Sequence, residues 1–295
     1  MGYIFSIITS VFFTLYIIPK KLSRQTPVRY SLFQGIGFFA GSCAAYIILL
    51  ISGSSPSDRL GAPVLWISAL AGVIWFAASM LFLTAIDRLG LSRSNQWKNL
   101  QGPAGAVLSL IFLSEHAETR LVFIILAILF ILGSALLLNI SKDKSRSSDA
   151  SGILYALISA VLFGTYATLQ KYVTNHGFMY AQLFVISLAV MVSAFAYLFI
   201  KEKSVSCVTR IAQKDNLLGV LGGLLFFFTA VLTTVSYRYL PASIAFTIIQ
   251  LNAVWTVLAG VLLFKEVNFR ENYRRILLGL AFAVAGVIML LFAQR

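Results

Sequence analysis

Charge is what this sequence has least of. Only 11% of its 295 residues are Asp, Glu, Lys or Arg, less than half the share of about 25% in an average soluble domain. Only ten residues are acidic, and all ten fall near the ends of apolar runs or in the connections between them. The apolar runs therefore hold no carboxylate for a proton relay. The two histidines, His116 and His176, stand at segment ends, and no zinc-ligand spacing, nucleophile elbow or Walker phosphate loop is present. Glu115-His116-Ala117-Glu118 reads as a solvated loop. These absences set enzymes and ATP-driven pumps aside, so no catalytic residue, metal or cofactor is assigned. Of the two cysteines, Cys43 lies inside an apolar run and Cys207 in a basic connection, an arrangement that predicts no disulfide.

What fills the sequence instead is apolar. Hydrophobic residues make up 59%, and a bilayer-spanning helix needs about 20 predominantly apolar residues. The chain reads as an all-α polytopic membrane protein with ten transmembrane helices: Tyr3 to Leu22, Val28 to Ile51, Pro63 to Ile86, Leu91 to Leu113, Arg120 to Ile140, Gly152 to Tyr172, Phe178 to Ile200, Leu217 to Tyr237, Pro241 to Phe264 and Tyr273 to Phe292. The start matches a myristoylation pattern formally, but a span that begins at once makes a lipid anchor redundant. The polar, low-complexity stretch 141–150 links a first five-helix repeat, 1–140, to a second, 151–295.

The halves look like copies. At an offset of 150, Gly2 meets Gly152, Phe13 meets Phe163, Tyr16 meets Tyr166, Lys21 meets Lys171, Tyr30 meets Tyr180, Gly72 meets Gly222 and Arg88 meets Arg238. One residue later Leu100 meets Leu251 and Glu115 meets Glu266. Five spans per copy force the second copy to run inverted, and inverted repeats point to a transporter with its site near the midplane. The net charge of +13 is then no nucleic-acid signal. Arg59, Arg120, Lys171, Arg238 and Arg295 fall on one side of the expected bilayer and Lys98 inside a span. The other 17 of the 23 basic residues share the opposite side, which predicts cytoplasmic loops and external termini in a cell membrane. Gly37–Gly41 and Gly219–Gly223 carry the small-residue spacing of close helix seams. Seams inside a monomer are expected in preference to a dimer interface.

The stretch Ser92 to Gly105 is the most polar run, yet it opens the fourth span. A continuous helix would put Ser94, Lys98, Gln101 and Gly105 on one face, and such a face belongs in a cavity or a seam rather than in lipid. Ser94, Asn95, Lys98, Asn99 and Gln101 are the first candidates for substrate binding, since amides and hydroxyls both donate and accept hydrogen bonds. The alternative begins the span near Trp97 and lets Lys98 snorkel to the interface. Span nine offers Thr247, Gln250, Asn252 and Trp255. Trp75, Ser79, Thr14, Tyr16, Tyr166, Thr168, Thr229 and Thr233 complete the expected lining. Glu115 and Glu266 end equivalent spans and read as solvated termini.

From Ala71-Gly72-Val73-Ile74-Trp75-Phe76 through Ile86-Asp87-Arg88-Leu89-Gly90-Leu91-Ser92-Arg93-Ser94 to Phe112-Leu113-Ser114-Glu115, the sequence resembles the drug/metabolite transporter superfamily. Tyr239-Leu240-Pro241-Ala242-Ser243, Leu263-Phe264-Lys265-Glu266, Gly279 and Gly286 repeat the pattern. The string at 86–93 and the Leu-Ser-Glu-His at 113–116 are most similar to the bacterial glucose/ribose porter branch. The resemblance implies ten helices in inverted repeats around a cavity lined by spans one, three, four, six, eight and nine. It also implies a small-molecule substrate, a sugar first, moved by alternating access without ATP. Many ten-span members of the superfamily have both termini inside, against the charge count here. Anionic metabolites, amino acids and drugs form the alternative substrate classes, and a receptor or intramembrane enzyme the alternative function.

Overall fold

The computed structural model describes residues 1–53, 61–114, 120–138, 149–203, 207, 211–265 and 269–293. All regular secondary structure over these residues is helical: α1 (Gly2–Leu15), α2 (Ile18–Leu22), α3 (Pro27–Ile51), α4 (Ala62–Leu89), α5 (Leu91–Lys98), α6 (Gln101–Phe112), α7 (Leu121–Leu137), α8 (Ala150–Asn175), α9 (Met179–Glu202), α10 (Lys214–Tyr239), α11 (Ala242–Ile249), α12 (Asn252–Leu262) and α13 (Phe269–Ala293). Among the described residues, seven helical stretches are long and apolar enough to cross a membrane. The molecule is a multi-pass membrane protein with its polarity inverted relative to a soluble one. Ile48, Ile51, Trp66, Phe112, Ile200 and Leu262 face outward, while Gln34, Asn95, Lys98, Gln101, Gln182 and Asn252 are buried.

Three expected spans are not continuous, and the sequence explains why. Pro103 has no N–H to give Asn99, four residues back, and its ring crowds that carbonyl. The fourth span therefore breaks between α5 and α6, where the bonds shorten to the tighter i to i−3 pattern: Leu100 N donates to Trp97 O at 3.3 Å and Gly102 N to Asn99 O at 3.1 Å. The continuous helix expected from Ser94 to Gly105 is thereby corrected, although all of α5 except Trp97 is buried and the start near Trp97 is excluded. Pro19 splits the first span into α1 and α2 in the same way. The ninth span breaks at Gln250–Leu251 without a proline. There side-chain amides take over the backbone carbonyls, with Gln250 Nε2 donating to Phe246 O at 2.9 Å and Asn252 Nδ2 to Ile249 O at 3.0 Å. The two internal breaks stand 151 residues apart, as Leu100 and Leu251 do.

Helix ends follow local chemistry. Thr26 caps α3 ahead of Pro27, and the Asp149 carboxylate accepts from Gly152 N at 3.0 Å at the start of α8. Gly90 turns the chain from α4 into α5 at a φ of 84° that disfavours any side chain.

Packing is built from long helix pairs. α4 lies along α8, α7 along α13, and α3 along both α9 and α10; α1 lies along α10, and the half-helices α5, α6, α11 and α12 fill the centre against α1 and α8. With no water to drive association, such contacts rest on close backbone approach. A Cβ at Gly37 would overlap the Val220 carbonyl, and one at Gly223 the Gln34 carbonyl. Both expected glycine seams are thus internal, between α3 and α10.

Candidate functional site

At the centre, six helices close on one cavity. Phe13 comes from α1, Trp75 from α4, Gln101 from α6, Phe163, Tyr166 and Gln170 from α8, Phe226, Ala230 and Thr233 from α10, and Phe246 from α11. The aromatic walls brace one another: Trp75 packs on Phe226 with centroids 4.4 Å apart, and Phe226 meets Phe38 edge-on at 4.9 Å and Tyr16 at 5.1 Å. Four of the lining residues carry a buried polar atom with no hydrogen-bond partner, Trp75 Nε1, Gln101 Oε1, Tyr166 Oη and Gln170 Oε1, while the surface that the closed cavity exposes is apolar. Each unmet group costs about 1–3 kcal/mol when buried. Together they present one donor, two acceptors and one hydroxyl able to do either. A polyhydroxylated ligand matches that set, because every hydroxyl it carries can answer any of them.

The cavity is closed. It offers about 10 Å³ to the centre of a water molecule, roughly what a single water needs, and a sugar requires the walls to part. Lys20 Nζ pairs with the Asp87 carboxylate at 2.7 Å at the ends of α2 and α4. Lys171 Nζ donates to the Tyr237 carbonyl and, at 3.1 Å, to the Leu240 carbonyl at the ends of α8 and α10.

Beside the cavity, a polar junction locks the broken helices to α1. Asn95 Nδ2 donates to Asn252 Oδ1 at 2.9 Å and to Thr256 Oγ1 at 3.0 Å, and Thr14 Oγ1 donates to Asn252 O at 3.1 Å. A second small space, lined among others by Gln96, Asn99, Ser134 and Gln250, lies where the two breaks meet. Gln101 Nε2 reaches Gln250 Oε1 at 3.4 Å and joins the two spaces.

Comparison with known proteins now decides the class. Residues 40–293 match the model of a family described as sugar transport protein. The chain belongs to that sugar transport family. The family is a glucose uptake and ribose transporter family within the drug/metabolite transporter superfamily. Among solved structures, one titled "Crystal structure of protein" aligns over 100% of this chain and 98% of its own, with a TM-score of 0.67 and 15% identity, a likeness of fold alone. The search of curated proteins finds no match. The chain is therefore a sugar transporter and not an enzyme.

Within this sugar transporter, the residues expected from sequence divide by position. Trp75, Gln101, Tyr166 and Thr233 line the central cavity, and Asn99 and Gln250 line the second space. Asn95, Asn252 and Thr14 build the junction. Ser94, Thr168, Thr229 and Thr233 turn their hydroxyls onto carbonyls of the preceding turn. Ser79 donates to Gln34 Oε1 at 3.4 Å, and Tyr16 stands behind Phe226. Trp255 is 37% exposed, with Nε1 donating to Ser10 Oγ. The Thr247 side chain, Glu115, His116, Glu266 and most of the 141–150 linker lie outside the described residues. Lys98 is fully buried, and its Nζ has no hydrogen-bond partner. It sits over the rings of Phe82, Phe13 and Phe163 at 5.0, 5.3 and 5.6 Å from their centroids. Such contacts stabilise a desolvated cation by about 2 kcal/mol each.

Sequence reasoning missed Phe13, Phe163, Phe226, Phe246 and Gln170. Phe13 and Phe163 carried a signal as a repeat pair, and Gln170 as an amide inside an apolar run.

Proposed function

We propose that this sugar transporter carries a neutral monosaccharide through the central cavity by alternating access, without ATP. One observation carries the reading: four buried, unpartnered polar atoms on residues that line one aromatic-walled cavity, a space too small to hold the sugar until the walls part and uncover them. Ten spans in two inverted five-helix repeats are part of the proposal. Its support is an exchange of partners: under the offset of 150, α1 on α10 becomes α8 on α4, and α3 on α10 becomes α9 on α4, and both members of each pair are present. The Lys20–Asp87 pair and the Lys171 contacts would then close opposite faces, the first cytoplasmic and the second external. The Lys and Arg distribution supports external termini with the 141–150 linker inside. Glycine seams used up between α3 and α10 support a monomer.

Proteoliposomes test the function. Counterflow of labelled glucose or ribose without ATP is expected, lost in Trp75→Ala and retained in Trp255→Phe. Reporter fusions at Ser147 and Arg295 test the orientation, with a cytoplasmic carboxyl end overturning it. The unpartnered Lys98 ammonium favours a second reading in which the cargo is a sugar phosphate or another anion.

A further inference from the structure

Lys98 is the residue that divides the two readings, and its surroundings decide between them. Its ammonium is buried with no hydrogen-bond partner and in no ion pair among the described residues. Lys98 does not line the central cavity, but Phe13 and Phe163 do, and these are two of the three rings that hold the ammonium. The third ring, Phe82, approaches it at 5.0 Å and stays off the cavity wall. Phe13 and Phe163 are also repeat partners, one from α1 and one from α8.

We propose that Phe13 and Phe163 set the charge selectivity of the sugar site, holding the Lys98 ammonium out of the cavity so that neutral sugars enter and sugar phosphates are rejected. This rests on the reading of the cavity as the sugar site. Each ring has two tasks. Its cavity-facing surface offers an apolar wall to the C–H face of a pyranose, and its π system occupies the cation that would otherwise attract an anion. A carboxylate in place of the rings would also neutralise Lys98, but it would add a second buried charge to desolvate. Two phenyl rings hold the ammonium without one. Removing either ring leaves a smaller side chain beside Nζ and gives the ammonium a path to the cavity, where no acidic side chain stands among the described lining residues.

The test compares glucose with glucose 6-phosphate, and ribose with ribose 5-phosphate, by calorimetric binding to the purified full-length protein in detergent. The native protein is expected to bind the free sugar at least about tenfold more tightly than its phosphate ester. Phe13→Leu and Phe163→Leu are each expected to move that ratio toward the ester by about tenfold or more, with an ester affinity that weakens as salt rises. Adding Lys98→Gln to either variant should abolish the gain. A native protein that binds the ester as tightly as the sugar overturns the proposal, and so do leucine variants whose ratio does not move. If one leucine variant fails to fold, the other variant and the native ratio still decide. A folded native protein that binds neither free sugar removes the sugar-site reading itself, an outcome separate from an unchanged ratio.

Discussion

Replacing Gln170 by leucine separates affinity from stability. Gln170 is buried in α8 and lines the cavity; its Nε2 donates to Thr234 Oγ1 at 2.8 Å, while Oε1 has no partner. Leucine removes an acceptor whose burial costs about 1–3 kcal/mol and a hydrogen bond worth about 1 kcal/mol net. Thr234 keeps its own bond to Ala230 O at 2.8 Å, so no new orphan is created. The two losses nearly cancel, and the sugar-free protein should unfold within a few degrees of the native temperature. The sugar loses an acceptor that only it could satisfy, a change of about 0.5–1.5 kcal/mol. That corresponds to roughly two- to twelvefold in the dissociation constant. Calorimetric titration of glucose and ribose, beside thermal unfolding without sugar, reads both quantities. Unchanged affinity would show that Gln170 does not face the ligand. A large fall in sugar-free stability would show that Oε1 does have a partner in the folded protein.

The other predictions are briefer. Asp87→Asn breaks the pair with Lys20, whose partners are 44% and 2% exposed at the side chain. An ion pair so placed is worth about 1 kcal/mol or less, so a cysteine at Thr233 should react up to about fivefold faster with an impermeant thiol reagent from that face. An unchanged rate would remove the pair as a closure. Gly223→Ala places a methyl group on the Gln34 carbonyl and the Phe38 amide, and overpacking of this kind costs about 1–3 kcal/mol. It should lower the unfolding temperature and reduce transport, and an unaffected variant would place the α3–α10 seam wrongly. The Asp149 carboxylate is held below its ordinary value, first by the Ser151 hydroxyl and then by Gly152 N, with Arg88 adding to both. A depressed folded value means that its stabilisation is present above the ordinary carboxylate range and is lost as pH falls through the folded value. Asp149→Ala should therefore lower the unfolding temperature at neutral pH and match the native protein in strong acid, and a difference that persists in acid would contradict this.

Much of the architecture could be read from the order of residues, because hydrophobic length and glycine spacing report directly on span and seam. The break in the fourth span was missed although Pro103 marks it, since a proline withholds an N–H from the residue four back wherever it sits. The break in the ninth span has no such mark. It depends on Gln250 and Asn252 competing for their own backbone carbonyls, and sequence alone does not show whether an amide turns to backbone, neighbour or ligand. The same ambiguity divides the candidates. Asn95 and Gln101 are both amides beside the fourth-span break, yet Asn95 secures a junction while Gln101 meets the cavity. Periodicity puts polar residues on a face and cannot say which of them the neighbouring helices will satisfy. The aromatic wall escaped notice for the opposite reason, since Phe226 and Phe246 look like any lipid-facing phenylalanine until their neighbours are known.

The central claim is that the occluded cavity between α1, α4, α6, α8, α10 and α11 is the sugar's path. Counterflow in sealed proteoliposomes tests it most directly, with purified protein, unlabelled sugar inside, labelled glucose or ribose outside and no ATP. Alternating access through that cavity predicts a transient accumulation of label that disappears in Trp75→Ala and is reduced in Gln170→Leu. Flux that follows the gradient without any transient, as through an open pore, or counterflow that survives Trp75→Ala unchanged, would contradict it.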